Sequence, residues 1–132
     1  MTAELTLLYY STILLLVQIM APATIALLGK GMAWGVSNRE DSSEVSDMHG
    51  RCLRARNNML ENFAMFAALI LIANLAGVSN ENTVLGAQLF FWGRLGHMVT
   101  YAAGLVPVRT VAWLIALVGI ILVAAEICGA LA

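Results

Sequence analysis

The chain has 132 residues, 61% of them hydrophobic and only 11% charged, with a mean hydropathy of +0.84. An average soluble domain carries about 25% charged residues, so this composition excludes an ordinary water-soluble domain and leaves room for several membrane spans. Seven lysines and arginines against eight acids give a net charge of −1, which excludes a polybasic surface, and no nucleic-acid partner is expected.

The amino terminus, MTAELTLLYY, lacks the basic region that opens a signal peptide. The apolar run behind it is too long for a signal core, so it is expected to stay in place as the first span. A first helix is predicted over residues 5–28, where Pro22 should bend the helix or loosen its hydrogen bonding and Gln18 should bond a neighbouring helix. Residues 29–48 turn polar, with Asn38, Arg39, Glu40, Asp41 and Glu44, and read as a water-exposed loop of solvated charges. A second helix is predicted over 47–77, with Ser46 or Asp47 as N-cap. Its opening RCLRARNNMLENF runs straight into AMFAALILIANLAG.

Val78 to Asn82 reads as a short turn. A third helix over 83–104 carries Gln88, Arg94, His97 and Tyr101, and Pro107 falls in the next connection. A fourth helix over 108–131 has Thr110 and Trp113 near its start and Glu126, expected to be exposed, near its end. The expected fold is therefore all-α: a single domain over residues 1–132, built as an integral membrane four-helix bundle. Lys30, Arg39, Arg51, Arg54 and Arg56 cluster around the first connection and Arg109 lies in the last, whereas the tails and the short turn hold no lysine or arginine. The positive-inside rule then puts the first and third connections in the cytoplasm and both termini on the non-cytoplasmic side. Cys52 and Cys128 fall on opposite sides and should be free thiols. No metal site is expected: His49 and Cys52 lie at i and i+3 near a helix start, but neither cysteine has a spaced ligand set and the chain holds only two histidines.

The polar residues of the spans carry the functional signal. Arg51, Arg54, Asn58 and Glu61 fall at i, i+3, i+7 and i+10, one face of a helix; Arg94, His97 and Tyr101 repeat the pattern at i, i+3 and i+7. Ionisable groups cost roughly 2.5–3.5 kcal/mol each at the bilayer centre, so such a cluster must face protein, water or a ligand. At about 1.5 Å per residue, Arg54 and Glu61 lie about 10 and 20 Å along the second helix. By the same measure Tyr101, His97 and Arg94 lie about 5, 10 and 15 Å back from the end of the third. With Arg109 opening the fourth helix, all meet in the cytoplasmic half.

Two readings compete. In one, the groups neutralise each other, Glu61 pairing with Arg54 or Arg94 as a packing device. In the other, the surplus of Arg51, Arg54, Arg56, Arg94 and Arg109 over the single Glu61 captures a small polyanionic ligand. Taken alone, His97 reads as a packed histidine and Arg39 as solvated. Arg56 points off the main face, and Trp113 and Tyr101 read as members of an interfacial aromatic belt.

The run Arg54-Ala55, Asn58, Glu61-Asn62, followed by GRLGHMVTY with Arg94, His97 and Tyr101 and then by Arg109, resembles the membrane-associated proteins in eicosanoid and glutathione metabolism, the MAPEG family. The resemblance covers almost the whole chain. It implies a homotrimer that binds glutathione as cosubstrate between subunits near the cytosolic face. It also implies contacts from Arg54, Asn58, Glu61, Arg94, His97, Tyr101 and Arg109. In such proteins the arginine at the position of Arg109 stabilises the thiolate, and Thr110, where relatives often carry serine, would donate a hydrogen bond to the sulfur.

Asn57, Trp113 and Lys30 depart from the pattern of a close branch. Asn62 and His97 stand where the leukotriene-forming branch has tyrosines, which points toward the microsomal glutathione transferase and prostaglandin E synthase-like branch. The implied activity is a glutathione transferase or peroxidase acting on lipophilic electrophiles or hydroperoxides drawn from membrane lipid. The alternative is a non-catalytic member that binds a lipid or partner protein; the presence of Arg109 favours the enzyme. A small multidrug exporter would want an acid inside the first helix, and residues 5–28 have none.

Overall fold

The computed structural model describes all residues, 1–132. The chain is all-helical: α1 (Ala3–Lys30), α2 (Met32–Gly35), α3 (Asp47–Leu75), α4 (Glu81–Ala102) and α5 (Val106–Leu131). Three of these, α1, α3 and α5, are long and apolar enough to cross a membrane, which makes the chain an integral membrane protein. The 22-residue α4 is less apolar because it carries Glu81, Gln88, Arg94 and His97; of these, Arg94 and His97 are buried within the bundle.

Local chemistry sets the helix ends. Thr2 caps α1 by accepting from the Leu5 amide, and Ser46 caps α3 by accepting from His49. Asn80 caps α4 in a reciprocal arrangement with Thr83, so at each of three starts at least one otherwise free amide is satisfied. At the other ends, Gly77 (φ 70°) and Gly104 (φ 77°) adopt the left-handed conformation, which cannot continue a right-handed helix. α3 and α4 therefore stop at Leu75 and Ala102 rather than at the glycines. Pro107 lies in the first turn of α5 rather than in the connection, where its missing N–H leaves nothing unbonded. α1 continues through Pro22 as one helix and begins early enough to include Glu4.

The four long helices alternate in direction, as their end-to-end ties show. Glu4, only 4% exposed, accepts from Thr83 Oγ1 at 2.6 Å and from Ser79 Oγ at 2.8 Å. Glu126 accepts from the side-chain amides of Asn80 and Asn82, both at 2.7 Å; it is half-buried and fastens α5 to the start of α4, where the sequence suggested an exposed acid. At the opposite end Arg51 Nε donates to the Ala102 carbonyl at 3.1 Å, joining the start of α3 to the end of α4.

Between these ends the core is a stripe of Met59, Phe66, Ile70 and Ala73 on α3 against Ala87 and Phe90 on α4 and Ala116 and Val123 on α5. Phe66 and Phe90 stack at 3.8 Å, nearly parallel. α4 and α5 approach most closely: a Cβ added at Gly93 would lie 2.8 Å from the Ala116 nitrogen and 2.9 Å from the Ala112 oxygen. Small residues at such contacts let backbones meet where lipid offers no hydrophobic drive.

Residues 31–46 are more than a solvated loop. Lys30 Nζ and Trp34 Nε1 both donate to the Asp41 carbonyl, at 2.8 and 2.9 Å, and Arg39 Nε donates to the Gly35 carbonyl at 3.0 Å. Arg39 is exposed, as expected of a solvated loop residue, and holds a φ of 54° with its guanidinium over the Trp34 ring. The Ser43 hydroxyl and amide both donate to the Asp41 carboxylate and hold it below the usual range. Cys52 is half-buried and Cys128 exposed, and both are free.

Candidate functional site

At the end of the bundle where α3 begins, α4 finishes and α5 starts, a cavity of about 190 Å³ is lined by Asn58, His97, Arg109, Thr110 and Trp113. His97 is 4% exposed. One turn nearer the end, Tyr101 sets its ring 5.3 Å from the imidazole, and the Arg109 guanidinium lies 4.4 Å above the Tyr101 ring. That cation–π contact fixes Arg109 at the cavity without neutralising it.

One turn deeper along α4, Arg94 is fully buried. Its Nε donates to Met59 Sδ at 3.3 Å, while Nη1 and Nη2 have no partner in the chain. Asn58 Oδ1 and His97 Nδ1 are buried and unpartnered too. Folded proteins pair nearly all buried polar atoms, and each orphan costs about 1–3 kcal/mol. Two such atoms, Asn58 Oδ1 and His97 Nδ1, belong to residues that line the cavity, and the two of Arg94 lie behind it.

The expected face of α3 divides. Arg51 and Asn58, about 20° apart at 3.6 residues per turn, turn toward α4; Arg54 and Glu61 lie about 40–80° further round and are exposed. The chain forms two ion pairs, Lys30 with Asp41 at 3.5 Å and Arg54 with Glu44 at 3.3 Å. Glu61 thus neutralises neither Arg54 nor Arg94, and the acid for Arg54 comes from the loop. Arg56 donates to the neighbouring Asn57 side chain. Of the sequence-nominated residues, Asn58, His97, Arg109 and Thr110 meet at the cavity and Tyr101 touches it through Arg109. Arg94 lies behind it, and Arg54 and Glu61 face away. The Thr110 hydroxyl donates back to the Val106 carbonyl at 3.2 Å, a bond it must release to serve a ligand.

Two participants lay outside the nominated set. Trp113 walls the cavity, although it read as an interfacial belt residue; its spacing of i+4 from Arg109 and i+3 from Thr110 places all three on one face. Met59 touches Arg94 through a contact between helices that no local spacing announces.

Fold and cavity together define a helical membrane protein with a small chamber at one end of the bundle, lined by one guanidinium, Arg109, and by the polar side chains of Asn58, His97 and Thr110. Residues 7–128 match the model of the MAPEG family, and the chain belongs to that family. No curated protein and no solved structure matches it.

Proposed function

We propose that the protein is a glutathione-dependent membrane enzyme of the transferase and peroxidase type, working as a homotrimer with α4 as its fourth span and the cavity facing the cytoplasm. The observation that carries this reading is a chamber lined by Arg109, without an ion-pair partner, and by the unpartnered Asn58 Oδ1 and His97 Nδ1, with the unpaired guanidinium of Arg94 behind it and no acid among its lining residues. Glutathione supplies two carboxylates, an amine and a thiol. Guanidinium forks suit the carboxylates.

The chamber of about 190 Å³ is smaller than the roughly 300–1,000 Å³ of typical ligand pockets. A single chain therefore walls only part of the site. The exposed Arg54 and Glu61 face of α3 supplies the remainder to a neighbouring subunit in a trimer, Glu61 taking the glutathione amine.

Arg109 acts on the sulfur. A guanidinium beside a thiol favours the thiolate and lowers its pKa, and Thr110, once turned from Val106, donates a hydrogen bond to the same atom. The thiolate then attacks an electrophilic carbon of a lipid-dissolved substrate, forming a sulfur–carbon bond as the leaving group departs. With a hydroperoxide it takes the terminal oxygen, the alcohol leaves with a proton, and a second glutathione closes the disulfide and releases water. Asn62 donates to the Asn58 carbonyl one turn back at 2.7 Å and does not line the chamber.

The test is saturable glutathione binding and thiolate absorbance in detergent, comparing the parent with Arg109→Ala. Binding should be largely retained in the variant while the thiolate signal falls about tenfold or more, the size of a one-unit pKa shift. A folded parent trimer that binds no glutathione removes the enzyme reading.

A further inference from the structure

Gln18 is 3% exposed, and neither end of its side-chain amide has a hydrogen-bond partner. A bond to a neighbouring helix is expected from the sequence, but the chain supplies none. Pro22, one turn further along α1, has no N–H to give the Gln18 main-chain carbonyl, so free acceptors concentrate at this turn. Inside a membrane bundle such an amide is stabilising only against another polar group.

Arg94 is the group at that depth. Pro22 of α1 and Leu53 and Arg56 of α3 line one cavity, which sets the two helices in register; one turn deeper, about 5 Å, come Gln18 on α1 and Met59 on α3. Arg94 Nε donates to Met59 Sδ. One turn beyond Gln18 on the same buried stripe, Leu14 belongs to the core cluster of Met59, Phe66 and Phe90, and α1 packs against both α3 and α4. The stripe therefore faces the interior in which Arg94 lies. Gln18 and Arg94 are two buried side chains at one depth, one with an unpartnered amide oxygen and the other with two unpartnered guanidinium nitrogens. No acid competes for that guanidinium, because Glu61 on this part of α3 is exposed.

We infer that Gln18 is a positioning residue for Arg94: when glutathione binds, the Gln18 side-chain oxygen accepts from one Nη of Arg94, and the other Nη is turned toward a glutathione carboxylate. This role rests on the glutathione reading above. The guanidinium is planar, so fixing one arm of its fork fixes the direction of the other. A neutral amide can do this without cancelling the charge that the ligand needs, whereas a carboxylate in its place would cancel it. Hydrogen bonds of this kind are often open in a free enzyme and close in its complex.

The experiment measures glutathione affinity and melting temperature of the full chain in detergent for the parent, Gln18→Leu and Gln18→Glu, each also combined with Arg94→Met. Gln18→Leu should weaken glutathione about fivefold or more in the parent and change nothing beside Arg94→Met, without lowering the melting temperature of the ligand-free protein. Gln18→Glu gives the buried guanidinium a carboxylate. It should raise the ligand-free melting temperature of the parent while weakening glutathione about tenfold or more, and it should lower the melting temperature beside Arg94→Met, where the acid has no partner. A residue that only packs would not move stability and affinity in opposite directions. Unchanged glutathione affinity in both variants, or equal changes with and without Arg94, overturns the proposal. A parent that binds no glutathione removes the enzyme reading itself, whereas a parent that binds it with no response at position 18 removes only this role. Should Gln18→Glu fail to fold, the cycle of Gln18→Leu with Arg94→Met decides.

Discussion

Replacing Arg94 by methionine separates an arginine kept for a ligand from one kept for packing. Arg94 is fully buried, and two of its three guanidinium nitrogens have no partner in the chain. At about 1–3 kcal/mol for each unsatisfied group, the ligand-free protein carries a penalty of about 2–6 kcal/mol at this residue, offset in part by the weak bond to Met59. An unbranched apolar side chain removes the penalty, and replacing buried charge by apolar groups is typically neutral or stabilising by about 1–4 kcal/mol. Ligand-free Arg94→Met should therefore unfold at a higher temperature than the parent in detergent. Glutathione at 100 times its dissociation constant should stabilise the parent by about 2.7 kcal/mol and the variant far less. The two melting curves then exchange order or converge when glutathione is added. If Arg94→Met is less stable without ligand, the arginine is structural; if both proteins gain equally from glutathione, Arg94 makes no contact with it.

The packing leads to three more expected outcomes. Gly93→Ala places a Cβ within 3.0 Å of Ala112 and Ala116 atoms, two of them backbone, whereas Gly96→Ala meets Ala112 Cβ at an ordinary 3.7 Å. The first should cost about 1–3 kcal/mol and the second gain about 0.5–1 kcal/mol, read by thermal unfolding, and equal stabilities would deny the close approach of α4 to α5. Glu4→Ala strips the acceptor from Thr83 and Ser79 and should lower stability by about 1.5–3 kcal/mol, with no change in glutathione affinity at saturating folded fraction. Glu61→Gln should weaken glutathione binding by about 1.5–3 kcal/mol in the assembled protein while leaving its melting temperature without glutathione unmoved, since the side chain is exposed and unpaired within the chain; unchanged affinity would remove Glu61 from the site.

The helices were legible because their signals are local. Apolar runs mark α1, α3 and α5, Ser46 announces the start of α3, and Gly77 and Gly104 announce ends that fall two residues before them. The i, i+3, i+7 spacing also gathered His97, Tyr101 and Arg94 correctly onto one face of α4. What spacing along one helix cannot supply is the direction of its neighbours. Arg54 and Glu61 share an arc with Asn58, yet α4 covers only one edge of that arc, so Asn58 reaches the cavity and the other two do not. The same limit hid the partners of Glu4 and Glu126, which come from 79 and 46 residues away in the chain, and the contact of Arg94 with Met59. Arg39 is exposed, as its polar surroundings suggested, but no local spacing announced its left-handed backbone or its place over the face of Trp34.

The two ends of α5 are held unequally. Near its carboxyl end Glu126 is pinned by two asparagine amides, whereas toward its amino end no side-chain hydrogen bond reaches another helix and the restraints are the stacking of Arg109 on Tyr101 and the close fit of Ala112 and Ala116 against Gly93. From Glu126 to Arg109 the arm is about 26 Å long, and the seam with Gly93 fastens it most of the way along. Thr110 and Trp113 ride on the same arm. Bulk added at Gly93 would therefore displace Arg109, Thr110 and Trp113 together, which ties the shape of the chamber to the smallness of a residue that does not line it.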